Sequence, residues 1–170
     1  MPSKTAVAAA LLLACLVSPG GAQRNGSTTL VVQVNQEARL DPQQVALNFR
    51  VSADGASDVT SQTASVAAMV RALPGQQIRV TARLGSLNGP DGPVPVTQVG
   101  WAGSTTRATA GGQGATCSSG TFQAGATQDL VLGWQRSGIL TCAVNFGLAA
   151  PRGLAPGLYS GTVDLALDTR

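Results

Sequence analysis

Residues 155–170 read APGLYSGTVDLALDTR. A Pro156-Gly157 turn leads into one tyrosine and then into strict alternation. Val163, Leu165 and Leu167 fall on one side, and Asp164 and Asp168 on the other. A period of two residues is the mark of a β-strand with one buried face.

The same period recurs upstream. In QVALNFRVS, Val45, Leu47, Phe49 and Val51 share a face, with Ala46, Asn48 and Arg50 opposite. In IRVTARL, Ile78, Val80, Ala82 and Leu84 point inward while Arg79, Thr81 and Arg83 point out. ILTCAVNFGL aligns Leu140, Cys142, Val144, Phe146 and Leu148. TTLVVQV (28–34) reads as a first strand. TASVAAMV groups Ala64, Val66, Ala68 and Val70, although its alanines also suit a helix. VPVTQVGW reads as an edge strand, since Pro93 and Pro95 cannot donate to a central ladder. QDLVLGW places Leu130, Leu132 and Trp134 together. The glycine-rich stretch from Gly103 to Ala126 predicts a long irregular loop. No segment carries the 3.6-residue period of an amphipathic helix, so parallel α/β architecture is excluded. The pattern predicts an all-β, immunoglobulin-like antiparallel β-sandwich of about seven to nine strands.

The N-terminus reads as a targeting segment. Lys4 precedes an apolar run, Ala6–Val17, too short to span a bilayer. Gly20 and Ala22 occupy the −3 and −1 positions of a signal-peptidase site. The expected organisation is a signal peptide at 1–22 and one domain at 23–170. The alternative is a lipoprotein anchored through Cys15, because LLAC at Leu12–Cys15 resembles a lipobox. Either route takes the chain out of the cytoplasm, to the periplasm, the cell surface or the medium.

Outside the cytoplasm, the two other cysteines, Cys117 and Cys142, are expected to form a disulfide. A metal or redox pair is disfavoured by their spacing and by a chain with no histidine. The lack of histidine removes the usual general base and the Ser-His-Asp arrangement. Lys4 is the only lysine, so the mature chain also lacks a Schiff-base amine. Catalysis would need paired carboxylates, and the eight acids are spread along turns and outward strand faces. Asp54–Asp58 and Asn88–Gly92 offer oxygens to calcium but too few acids for a dedicated site. No cofactor is expected and no metal site is assigned. With Lys4 in the leader, ten arginines face eight acids, and the arginines are scattered, so nucleic-acid binding has no support. Trp101 is the candidate ligand contact, able to stack on a sugar or anchor a partner if exposed; the alternative is packing in the core or against the disulfide. Tyr159 is expected to hydrogen-bond back to nearby backbone at a sandwich corner.

Two segments resemble a known family. Pro42, Val45, Leu47, Phe49, Gln62, Thr63 and Val66 match the opening of bacterial secreted immunoglobulin-like domains, including the BACON-like ones. Gly157, Tyr159, Gly161, Thr162 and Val163 resemble their closing strand, and a similar strand ends spore-coat-U-like and fimbrial subunits. The resemblance covers about a quarter of the chain and concerns the fold. It implies an adhesive, carbohydrate-contacting or architectural role. The sequence therefore suggests a non-enzymatic module that binds an extracellular protein or glycan, without a membrane span. The alternative is a pilin- or coat-like subunit that self-assembles by strand exchange, with residues 28–34 as donor.

Overall fold

The computed structural model describes residues 36–53, 60–149 and 153–170, which belong to one compact unit, Val34–Arg170. The expected signal peptide, Cys15, the strand at 28–34 and the Asp54–Asp58 turn lie outside the described residues. Among the described residues, twelve strands follow in order: β1 (Glu37–Asp41), β2 (Gln44–Val51), β3 (Ser61–Arg71), β4 (Ile78–Gly89), β5 (Gly92–Val94), β6 (Val99–Ala110), β7 (Thr116–Cys117), β8 (Ser119–Thr121), β9 (Gln128–Asp129), β10 (Val131–Leu132), β11 (Gly138–Leu148) and β12 (Gly157–Thr169). Two 3-10 turns, Val96–Gln98 and Gly111–Gly114, are the only helical elements among the described residues. The protein is all-β, and every strand pair among the described residues is antiparallel.

One main sheet has the order β1-β3-β11-β6-β8 and the other β2-β12-β4-β5, with β9 also on β4, and β7 and β10 form a small two-stranded sheet. Their inner faces contribute to a single core. The sequence alternation explains the assignment. β2 is buried at Val45, Leu47, Phe49 and Val51 and exposed at each residue between. β3 buries Val66, Ala68 and Val70, so tertiary burial overrides the helix propensity of its alanines. The chain changes sheet between β1, which pairs with β3, and β2, which pairs with β12; the Asp41-Pro42 bond between them is cis.

The closing segment behaves as its sequence predicts. Val163 and Leu165 are buried and Leu167 packs against the core edge. The Tyr159 hydroxyl donates to Ala155 O at 2.6 Å. Its ring lies over Gly89, where an added Cβ would come within 2.3 Å of Cε1. Gly161 sits at an irregularity in the β12–β4 ladder, and a Cβ there would approach Ser86 O to 2.6 Å. Tyr159→Phe should lower stability by about 1 kcal/mol, the worth of one hydrogen bond, read as a shift in the urea midpoint at constant slope.

Three sequence expectations need correction. Gly103–Ala110 is not loop: it continues β6, which pairs with β11 from Val99 to Ala110. Small side chains conceal this strand because its outer face carries little apolar surface. QDLVLGW is not one strand. It is split into β9 and β10, which pair with β4 and β7 respectively. Leu130 and Val131 are both buried, which breaks the alternation and leaves Leu132 50% exposed. VPVTQVGW divides as well: Val94, with Pro93 before it, lies in the three-residue edge strand β5, a 3-10 turn follows, and Val99–Trp101 belongs to β6.

Candidate functional site

The two long sides of the sandwich differ. On one side, residues 116–134 form a hydrogen-bonded wall between the sheets. β8 pairs with β6, and Gly103 N–H donates to Ser118 O at 2.9 Å. Ser118 N–H then donates to Leu130 O, and Leu130 N–H to Val80 O of β4, both at 2.8 Å. Backbone bonding thus runs without a break from β6 to β4. The Cys117–Cys142 disulfide fastens this wall to β11, with Cα atoms 5.9 Å apart. Cys142 points into the core, as its place in the β11 alternation requires, and Cys117 reaches in from the wall. Gly103 allows the crossing, because a Cβ there would stand 2.5 Å from Ser118 O.

Trp101 belongs to this wall. Its indole is only 6% exposed, lies 4.9 Å from the Phe122 ring, and covers Gly120 of β8. The exposed-platform reading of Trp101 therefore gives way to core packing. A Trp on β6 must face inward here because it is paired with buried Phe146, on the same face of the sheet. Phe122 also packs against Phe146, whose ring centroid is 6.3 Å away.

The titratable side chains are dispersed. Arg79 holds Asp129 in a two-pronged ion pair at 2.7–2.8 Å, and Gln44 Nε2 donates to Asp164 at 2.8 Å. These contacts stitch neighbouring strands on the solvent face, where such pairs contribute about 0–1 kcal/mol. Asn88 and Gly89 belong to the β4–β5 hairpin, across which Gly89 pairs with Gly92. Among the described residues, no group of three His, Cys, Asp or Glu converges. A surface depression of about 660 Å³ lies at the pole formed by Leu73, Pro74, Gly75, Gln76 and Arg136, with Leu73 52% exposed.

No family model, curated protein or solved structure matches this chain.

The opposite long side is built differently. Among the described residues, β2 pairs with β12 along one edge only. In a strand, the backbone groups of alternate residues point to opposite edges. Gln43 O accepts from Leu165 N–H, so the odd-numbered groups face β12 and the even-numbered ones face away. Gln62 of β3 reaches this free edge: its Nε2 donates to Ala46 O at 2.7 Å, and its Oε1 accepts from Asn48 N–H at 3.0 Å. β1 covers β3 only from Ala67 to Arg71, so Ser61–Val66 has no strand on that edge among the described residues. Sequence reasoning reached Gln62 only through the Gln62-Thr63 resemblance. Its role depends on which strands become neighbours, and no local signal carries that.

Proposed function

We propose that this chain is a secreted or envelope-located, non-enzymatic module of bacterial, immunoglobulin-like type that binds a protein partner through the open β2 edge. The observation that carries this reading is the asymmetry of the edges. β5 and β8 are three residues long, and the wall joins β6 to β4, whereas β2 offers eight residues with alternate backbone groups directed outward. Natural sheets blunt their edges against pairing with other chains. An edge of this length, bridged by the Gln62 side chain and paired with no strand on its outer side among the described residues, suits recognition by strand addition, in which main-chain hydrogen bonds supply affinity. The disulfide agrees with an oxidising compartment. No helix among the described residues is long and apolar enough to cross a membrane.

Ala46→Pro tests this directly. The Ala46 N–H faces away from β12, so proline there removes no ladder bond and should change stability by less than about 1 kcal/mol. Fluorescently labelled wild-type protein is expected to bind whole cells saturably, and the proline variant at least about tenfold more weakly. Equal binding by the two would exclude the edge.

A second reading, self-assembly by strand exchange, draws support from the same edge and from TTLVVQV at 28–34, an apolar segment that precedes β1. Light scattering after size-exclusion chromatography distinguishes the two, since a partner-binding module runs as a monomer and an exchanging subunit as a series of oligomers.

A further inference from the structure

The bonds made by Gln62 have a direction. In an antiparallel pair, a residue exchanges both its hydrogen bonds with the single residue opposite. In a parallel pair the bonds are slanted, and a residue reaches the groups on either side of the one it faces. Ala46 O and Asn48 N–H flank Leu47, and the Gln62 amide donates to the first and accepts from the second. It makes the pair of bonds that one residue of a strand parallel to β2 would make, opposite Leu47.

We propose that Gln62 is a removable plug in a strand-addition site, displaced by a strand that runs parallel to β2 and belongs to a second copy of this chain, residues 28–34. The inference rests on the strand-exchange reading above. An arriving strand would take over Ala46 O and Asn48 N–H and add bonds to the other even-numbered groups of β2. It would lie beside Ser61–Val66, the part of β3 that β1 leaves uncovered.

Direction identifies the source of the strand. β3 pairs antiparallel with β1, and Glu37 is level with Arg71, at the opposite end of β3 from Gln62. β2 is antiparallel to β12, which is antiparallel to β4. β4 follows β3 through the turn after Arg71, so β2 runs from the Arg71 end toward the Gln62 end. If a molecule's own residues 28–34 were laid along its β2, they would lead toward Glu37, antiparallel to β2. A parallel strand must come from another molecule. TTLVVQV fits in length, with seven residues against the eight of β2, and it places Leu30, Val32 and Val34 on one face.

The test uses the secreted full chain, labelled with nitrogen-15, and a synthetic TTLVVQV peptide. Gln62→Met keeps the length of the side chain but has no amide. Gln62→Glu keeps an acceptor for Asn48 N–H but, ionised, has no proton for Ala46 O. Peptide affinity should rise in the order Gln, Glu, Met, with Met about tenfold or more above wild type, and the Asn48 amide resonance should shift on binding. A spin label at the N-terminal end of the peptide should broaden Gln44, and one at the C-terminal end Arg50. Equal affinity in all three proteins, or an unmoved Asn48 amide, overturns the plug. The reverse broadening pattern overturns the parallel register. If the folded variants neither bind peptide nor form oligomers, the strand-exchange reading itself fails.

Discussion

Replacing both Cys117 and Cys142 with alanine should destabilise the protein by about 3–4 kcal/mol, the chain-entropy value for a cross-link closing a loop of this size. The two cysteines are 25 residues apart. For a domain of this length, the loss corresponds to a fall of roughly 10–15 °C in melting temperature. The damage should be uneven. The wall consists of strands of two or three residues, and two-stranded ribbons of that size are at best marginal alone. Hydrogen exchange should therefore rise first at Ser118 and Leu130, while β3, β11 and β12 keep their protection. Uniform loss of protection across both sheets would show instead that the cross-link supports the whole sandwich.

Phe122→Ala should cost about 3–5 kcal/mol, the usual range for deleting a fully buried aromatic ring. Phe122 is wholly inaccessible and packs against both Trp101 and Phe146. Its removal leaves a cavity beneath the wall, and Gly120 has no side chain with which to fill it. Trp101 loses its closest ring neighbour, so its fluorescence should shift to the red as water reaches the indole. Trp134 lies elsewhere in the core and donates to Arg136 O at 2.7 Å. Its emission should stay unchanged, so a Trp134→Phe background isolates the signal. A shift smaller than that of the unfolded protein, with a large drop in urea midpoint, is the expected combination.

Alternation made the inner faces of β2, β4, β11 and β12 readable, because a half-buried strand writes its burial into neighbouring residues. Cys142 was legible for the same reason: it stands two residues from Leu140 and Val144 in one register. β6 was legible only at its start. From Gly103 onward, it is made of glycine, alanine, serine and threonine apart from Arg107, and its partner β11 makes it a strand. The wall escaped because its strands are too short to express a period, and because Leu130 and Val131 are buried consecutively between two neighbours. Trp101 could not be placed from sequence: a proline-bearing stretch suggested an exposed edge, but the prolines end before β6 begins. Gln62 lay furthest from view. A glutamine among small polar residues looks like an ordinary surface residue until β2 is folded beside it.

The disulfide has a mechanical consequence for the chain as a tether. A molecule stretched between its two ends cannot unravel the segment between Cys117 and Cys142, because the load passes through the sulfur bridge. At full extension of 3.3–3.6 Å per residue, the 25-residue separation withholds roughly 80 Å of contour length. Under force the module would yield a shorter release than its residue count implies. Reduction of the bridge would appear as one discrete lengthening step.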